Sequence, residues 1–320
     1  MIRIAINGFG RIGRAAFKIA LAHPDVEVVA INDLGDLENL AYLLRYDTIY
    51  GRYSQQVDVQ EGKLIVGQKS IDVLQEADPV ALPWGEKNVD VVIESTGIFT
   101  EEEKARAHIT AGARKVVISA PTKSKGVTTV VTGVNDKELA GKDIISNASC
   151  TTNCAAPVMA VLHNEFGVEK ALLTTIHAYT ASQSLVDGPA KKALNRGRAA
   201  AQNMVPSSTG AALATTRTIP ELDSKFDGVA LRIPLAVVSI ADLTCQLAKS
   251  ATAEEINNAF QAAIDNPLYK GVIDVTDEPL VSSDFIGDPH SAIVDLAMTR
   301  VVGGDFVKVM AWYDNEWGYS

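Results

Sequence analysis

Cysteine is scarce: three residues in 320, two of them only four positions apart, cannot build a disulfide framework. A reducing, cytoplasmic compartment is the simplest expectation. Cys150 and Cys154 also lack the second Cys/His pair that would close a tetrahedral zinc site, so no metal is expected. No apolar stretch approaches the roughly 18 residues that a membrane-spanning helix needs. Strand-like residues begin at Ile2, which leaves no room for a secretory leader. Positive charge is in deficit, with 29 Lys and Arg against 39 Asp and Glu and a net charge of −10. That balance argues against a nucleic-acid backbone or an anionic membrane as the main partner, although a local basic pocket stays open. Internal repeats and low-complexity linkers are absent as well.

What remains is a chain that is 47% hydrophobic with 23 glycines and 12 prolines, the profile of a compact α/β protein. Its length suits two domains of ordinary size. The first half opens on the strand-like Ile2 to Ile6, runs into Asn7-Gly8-Phe9-Gly10-Arg11-Ile12-Gly13, and continues as the helical Arg14 to Leu21. A second strand, Glu27 to Ile31, ends in Asn32-Asp33. Strand, glycines, helix, strand and an acid 20 positions beyond Gly13 together make a dinucleotide fingerprint. Gly8 permits the tight turn, Gly10 lets backbone approach a pyrophosphate, and Gly13 lets helix pack on strand. The pyrophosphate sits at the helix N-terminus, where free N–H groups favour an anion. Asp33 can accept from both adenosine ribose hydroxyls and repels a 2′-phosphate, which favours NAD over NADP.

The pattern repeats through a helix at Asp36–Tyr46, a small hairpin at Val57–Val66, a strand from Val89 ending in Glu94-Ser95-Thr96-Gly97, a helix at Glu101–Ala111 and a strand at Lys115–Ser119. Such alternation predicts a doubly wound parallel sheet, with Thr96, Gly97 and Ser119 at strand ends that meet the cofactor.

At the centre, Ser149-Cys150-Thr151-Thr152-Asn153-Cys154 places a thiol between hydroxyls at the start of a helix-like run. A helix N-terminus or an imidazole lowers a thiol pKa, so Cys150 is the candidate nucleophile, against the alternative of a small buried hydrophobe. Pro157 predicts that a helix from Ser149 to His163 kinks or restarts near Asn153. Ala171 to Ile176 reads as a strand delivering His177, a candidate base for Cys150. Lys191, Lys192, Arg196 and Arg198, followed by Pro206-Ser207-Ser208-Thr209-Gly210, suit a phosphate site, although on their own such charges more commonly mark a solvated loop. Strands at 228–234, 237–247, 292–297 and 306–312, with a helix at 253–264, predict a mostly antiparallel sheet covered by helices.

These blocks closely resemble the phosphorylating glyceraldehyde-3-phosphate dehydrogenase family over nearly the whole chain: INGFGRIGR, NASCTTNC, HAYTASQ, VPSSTGAA, ALRIP and WYDNEWGYS. The resemblance implies an α/β Rossmann domain over 1–149, with 315–320 returning to it, and an α+β catalytic and tetramerisation domain over 150–314. It implies that Cys150 attacks glyceraldehyde 3-phosphate, that His177 moves the proton, that NAD takes the hydride, and that inorganic phosphate releases the thioester as 1,3-bisphosphoglycerate. Thr180 and Arg232 are then expected on the substrate phosphate, Ser149, Thr151, Thr209 and Gly210 on the attacking phosphate, and Arg196 between them. The cofactor set becomes Gly8, Phe9, Gly10, Arg11, Ile12, Gly13, Asn32, Asp33, Thr96, Gly97, Ser119, Asn315 and Tyr319. A loop near 179–202 is expected to reach a neighbouring subunit of a homotetramer. Several positions depart from the family pattern: Leu213 replaces a lysine, Leu235-Ala236-Val237 replaces Thr-Pro-Asn, Ala77 replaces an arginine, and the chain ends at Ser320 where relatives continue into a further helix. The alternatives are the related erythrose-4-phosphate dehydrogenase, which hydrolyses its thioester, and a catalytically silent nucleotide- or RNA-binding relative.

Overall fold

The computed structural model describes residues 1–190 and 193–320. The chain divides into two compact units, one of residues 1–130, 137–148 and 320, the other of residues 131–136 and 149–319.

The first unit contains β1 (Ile2–Asn7), α1 (Arg11–Ala22), β2 (Val26–Asn32), α2 (Leu37–Arg45), β3 (Val57–Gln60), β4 (Lys63–Val66), β5 (Lys69–Leu74), β6 (Val91–Glu94), α3 (Glu102–Thr110), β7 (Lys115–Ile118), β8 (Thr128–Thr129) and β9 (Ile144–Ser146). They form one sheet in the order β8-β9-β7-β6-β1-β2-β5-β4-β3, parallel from β8 through β5 and antiparallel across the β3–β4–β5 meander. Central strands of such a sheet are covered on both faces, which is why β1 and β2 read as near-continuous apolar runs. On one face Ile4, Ile6, Val28 and Ile31 pack with Phe17 of α1 and Leu40 and Leu44 of α2; on the other, Ala5, Ala30 and Val92 pack with Trp84. Each such fully buried Ile, Leu or Phe stabilises by roughly 1.5–3 kcal/mol. Helix α2 starts where Asp36 accepts a hydrogen bond from the Asn39 N–H at 3.0 Å. The strand β5 was not anticipated from the sequence, because Lys69-Ser70-Ile71-Asp72-Val73-Leu74 alternates only weakly.

The second unit contains α4 (Cys150–Phe166), β10 (Val168–Ala178), β11 (Val205–Ser208), α5 (Ala211–Thr218), β12 (Phe226–Ile233), β13 (Ser239–Leu247), α6 (Ala253–Asp265), β14 (Ile273–Thr276), β15 (Ala292–Asp295), β16 (Arg300–Val302) and β17 (Phe306–Tyr313). The sheet order is β11-β12-β10-β13-β17-β15-β14, with β16 beside β17. It is largely antiparallel, but β10–β12 and β14–β15 run parallel, so the sheet is mixed. Helices α4 and α6 cover one face, where Met159, Leu162, Ile256 and Phe260 meet Leu173, Leu243 and Val309.

Helix α4 corrects the expected restart near Asn153: it runs without interruption for 17 residues with Pro157 inside it. Every residue from Thr151 to Leu162 is buried, so burial on all sides offsets the missing N–H of the proline. The helix stops at Gly167, whose φ of +69° suits a glycine and whose N–H returns to the His163 carbonyl at 2.9 Å.

Candidate active site

In the second unit, Cys150 is the first residue of α4, and Ser149 caps that helix by accepting from the Thr152 N–H at 3.1 Å. The uninterrupted helix therefore directs its dipole at the thiol. His177 is the penultimate residue of β10 and is buried. Its Nε2 lies 3.4 Å from Cys150 Sγ.

The other ring nitrogen faces both an acceptor and a donor. Nδ1 lies 2.6 Å from the Ala178 carbonyl, which can only accept; in the tautomer that donates there, Nδ1 carries the proton and Nε2 presents its lone pair to the thiol. The parallel pairing of β10 with β12 sets Arg232 directly across from His177. Its guanidinium donates to the Ala178 carbonyl at 3.1 Å and lies 2.7 Å from Nδ1, where its N–H favours the opposite tautomer, so the two neighbours of Nδ1 compete for the ring proton. Burial, followed by the charge of Arg232, pushes the His177 pKa down to about 3. Burial pushes the Cys150 thiol up, and Arg232 opposes that shift. The pair thus stands as a neutral thiol beside a neutral imidazole, able to pass its proton to Nε2 as the sulfur attacks when Nδ1 holds the ring proton. Arg232 Nε is buried with no acceptor among the described residues, an unspent donor beside the thiol.

Tyr313 holds this arrangement from below. Its hydroxyl bridges Thr151 Oγ1 at 2.9 Å and Thr175 Oγ1 at 2.8 Å, joining the residue after the thiol to the strand that carries His177. Its ring meets the imidazole edge-on at 6.1 Å. Sequence reasoning passed over Tyr313; its place in the WYDNEWGYS block was the available signal.

The remaining expected residues are distributed more widely. Asn315 accepts from Ser239 Oγ at 2.9 Å, and that same hydroxyl accepts from the Ala178 N–H at 3.1 Å, so Asn315 is coupled to the histidine strand. The field of Cys150 reaches the half-buried Tyr319, whose pKa is raised chiefly by desolvation. Residues 315–319 belong to the second unit, and only Ser320 falls in the first. Arg196 donates to Ser207 Oγ at 3.0 Å and adds positive potential at Arg232. Thr209 Oγ1 accepts from the Ala211 N–H at 3.1 Å, and Gly210 is the open N-cap of α5. Thr180 pairs with Ser182 at 2.9 Å. The structure brings Ser149, Cys150, Thr151, His177 and Arg232 into one constellation, whereas Thr180, Thr209 and Gly210 show no bond to it. Lys191 and Lys192 lie outside the described residues.

The first unit carries its own crevice, of about 320 Å³, lined by Gly8, Gly10, Asn32, Asp33, Thr96 and Phe99 among others. Gly8, at φ +94°, lies against Ser95 and Thr96, where a Cβ would come within 2.7 Å of backbone. A Cβ on Gly13 would fall 2.0 Å from the Gly8 carbonyl, whereas one on Gly10 would meet nothing within 4 Å. Gly10 thus leaves an open cradle at the N-terminus of α1, whose N-cap has no side-chain partner. Asp33 accepts from the Phe9 N–H at 2.7 Å and the Gly35 N–H at 2.8 Å, one on each oxygen, which leaves one acceptor position on each for a diol. This donor and acceptor set fits a dinucleotide. Phe9 contributes backbone only, its ring being packed edge-on against Phe17 at 5.2 Å, and the Arg11 guanidinium is held by Asp47 at 2.5 Å. Ile12 is half-buried, Gly97 adopts φ +73°, and Ser119 Oγ donates to the Glu94 carbonyl at 3.0 Å.

A Rossmann unit with a glycine cradle, together with a unit holding a helix-terminal thiol on an imidazole, defines the class of dinucleotide-dependent oxidoreductases that work through a cysteine. Comparison with known families narrows it. Residues 2–102 match the NAD binding domain of glyceraldehyde 3-phosphate dehydrogenase and residues 149–315 match its C-terminal domain. The chain is 52% identical over 329 residues to glyceraldehyde-3-phosphate dehydrogenase of Mycolicibacterium smegmatis, covering 100% of this chain and 95% of that protein. It is 50% identical over 322 residues to the Streptomyces coelicolor enzyme, covering 100% and 95%, and 48% identical over 319 residues to glyceraldehyde-3-phosphate dehydrogenase B of Aspergillus oryzae, covering 99% and 95%. The chain belongs to the glyceraldehyde-3-phosphate dehydrogenase family, and its first unit is an NAD-binding domain.

Proposed function

We propose that this chain catalyses the NAD-dependent, phosphorylating oxidation of glyceraldehyde 3-phosphate, with the roles of its residues as follows. The observation that carries the proposal is the 3.4 Å contact between Cys150 Sγ and His177 Nε2. Cys150 Sγ attacks the aldehyde carbon while His177 Nε2 takes the thiol proton, and a proton returns to the carbonyl oxygen to give a hemithioacetal. The NAD that Gly8–Gly13 and Asp33 would hold would supply the hydride acceptor for that carbon. His177 removes the hydroxyl proton as the thioester forms, and inorganic phosphate then attacks the acyl carbon, expelling the Cys150 thiolate and leaving 1,3-bisphosphoglycerate. Covalent capture keeps the acyl group on the sulfur until phosphate arrives.

Arg232, with its unspent Nε, and Thr180 are the proposed ligands of the substrate's phosphate. Ser149, Thr151, Thr209 and Gly210 are proposed for the attacking phosphate, with Arg196 adding positive potential. Asn315 is the proposed partner of the nicotinamide carboxamide, with Tyr319 beside it. In the first unit Gly8 to Gly13 cradle the pyrophosphate and Asp33 takes the adenosine ribose diol. Residues 1–149 are the proposed cofactor domain and 150–314 the catalytic one.

A homotetramer is the proposed assembly. The second unit leaves Leu172, Val229 and Phe306 about half or more exposed, and Leu172, Phe306 and Leu213 line an open groove of about 780 Å³. Apolar surface of this kind marks an interaction site. A cytoplasmic location goes with this metabolic role; no helix among the described residues is long and apolar enough to cross a membrane.

The test is NADH absorbance with glyceraldehyde 3-phosphate and NAD, with and without inorganic phosphate. Turnover that depends on phosphate supports the proposal. Sustained turnover without phosphate moves the chain to a hydrolysing relative such as erythrose-4-phosphate dehydrogenase, and no turnover from folded protein points to a silent binding role.

A further inference from the structure

Beneath the nucleotide crevice of the first unit lies a polar network of which three buried members, Glu94, His108 and Trp84, have no role in the dehydrogenase reading. Glu94, the last residue of β6, is 1% exposed and receives four hydrogen bonds. Its Oε1 accepts from the Thr96 N–H at 2.8 Å and from the Thr96 hydroxyl. Its Oε2 accepts from Asn7 Nδ2 at 2.5 Å and from His108 Nε2 at 3.1 Å. Every acceptor position of the carboxylate is filled.

The direction of each bond follows from its donors. Trp84 Nε1 can only donate, and it lies 3.0 Å from His108 Nδ1. His108 must therefore be the Nε2–H tautomer, whose single proton goes to Glu94. On the other side Asn32 Nδ2 donates to Asn7 Oδ1 at 2.7 Å and to the Glu76 carbonyl at 2.9 Å, and Asn32 Oδ1 accepts from the Glu76 N–H at 2.9 Å. The chain of bonds thus runs Trp84, His108, Glu94, Asn7, Asn32, Glu76, crossing the carboxyl ends of β6, β1 and β2. Those strand ends are the floor of the crevice.

Thr96 is where this network meets the glycine loop. Both of its donors turn down to Glu94, and the Ser95–Thr96 backbone is the shelf on which Gly8 rests, with Ser95 Oγ donating to the Gly8 carbonyl at 2.7 Å. A free threonine at a strand end could rotate its hydroxyl and peptide; this one cannot without leaving a buried carboxylate oxygen unpaired.

We propose that Glu94, His108 and Trp84 are positioning residues for NAD: they lock Thr96 and Asn7 so that the glycine loop and the crevice floor are set before the dinucleotide arrives. None of the three needs to touch the cofactor. Their effect is preorganisation, and its loss appears as weaker dinucleotide binding and not as slower chemistry at Cys150. The inference rests on the proposed function only in taking NAD as the ligand.

The test compares full-length His108→Leu, His108→Gln and Glu94→Gln with the parent by calorimetric titration with NAD, by steady-state kinetics and by thermal unfolding. Leucine fills space but neither donates nor accepts. Glutamine can accept from Trp84 through its carbonyl and donate to Glu94 through its amide, and so restores the chain. In Glu94→Gln the amide group turns a donor toward donors. We expect the NAD dissociation constant and KM for NAD to rise about tenfold to a hundredfold in His108→Leu and Glu94→Gln, from the loss of bonds to a charged group. KM for glyceraldehyde 3-phosphate and kcat at saturating NAD are expected to stay within about threefold, and His108→Gln to recover most of the affinity. Unchanged NAD affinity in folded His108→Leu overturns the proposal. So does a uniform fall in kcat and both substrate affinities that tracks thermal stability, which is a purely structural role. Should Glu94→Gln fail to fold, the leucine–glutamine pair at 108 decides alone. A parent protein that binds no NAD refutes the cofactor assignment itself, and the calorimetry registers that separately from any change among the variants.

Discussion

Replacing His177 with asparagine removes a base from the thiol and, with it, a titrating group that burial has displaced. His177 has its pKa lowered to about 3 from an ordinary value near 6.5. The unfolded chain therefore binds a proton that the folded chain refuses. For a group depressed in this way, the stabilisation is fully present above the unfolded pKa and is lost as pH falls from 6.5 toward 3. Between pH 7 and pH 5 one such group withdraws about 2 kcal/mol, taking 1.36 kcal/mol per pH unit below 6.5. Urea unfolding of parent and His177→Asn at both pH values isolates this contribution from the other titrating groups. The parent is expected to lose about 2 kcal/mol more than the variant over that interval. The same variant should lose about 10²- to 10⁴-fold in kcat, the usual worth of a general base. An equal pH response in the two proteins would falsify the picture of a buried neutral imidazole, whatever happens to the rate.

Other expectations are more local. Tyr313→Phe leaves the buried hydroxyls of Thr151 and Thr175 without their shared partner; it should cost about 2 kcal/mol, a fall of roughly 4–8 °C in a thermal scan. Gly13→Ala drives a methyl to 2.0 Å from the Gly8 carbonyl, and urea denaturation should show a loss of about 3 kcal/mol or no folded protein; a wild-type midpoint would mean the loop is softer than described. Asp33→Ser removes the acceptors held ready by the Phe9 and Gly35 N–H groups, so KM for NAD should rise about tenfold and the preference for NAD over NADP should shrink; an unchanged preference would move the discrimination elsewhere.

The first unit was largely legible because its signals are local. A glycine fingerprint, an acid at a fixed interval and alternating strand and helix patterns all lie within short windows, and the positions of α1, β2 and α2 follow from them. Legibility failed where structure depends on distant pairing. Arg232 reaches His177 because β10 and β12 run parallel across 55 residues of sequence, a topology that no local pattern announces. Pro157 misled for a related reason: its local penalty is real, but the burial that offsets it comes from strands far along the chain. Glu94 and His108 likewise read only as a strand end and a helix residue, Trp84 drew no reading at all, and only their convergence in space shows a network. The roles of Thr180, Thr209 and Gly210 rest on the resemblance alone, since their bonds in the structure are to neighbours in their own loops.

The central claim is that Cys150 carries the substrate as an acyl group that phosphate discharges. It is tested most directly by mass spectrometry of the intact protein after mixing with NAD and glyceraldehyde 3-phosphate in phosphate-free buffer, followed by peptide mapping. One acyl adduct per chain, confined to Cys150, absent in Cys150→Ser and removed when inorganic phosphate is added, is the predicted result. An adduct on Cys154 or Cys245, or NADH formation with no adduct at Cys150 on any time scale, would contradict it.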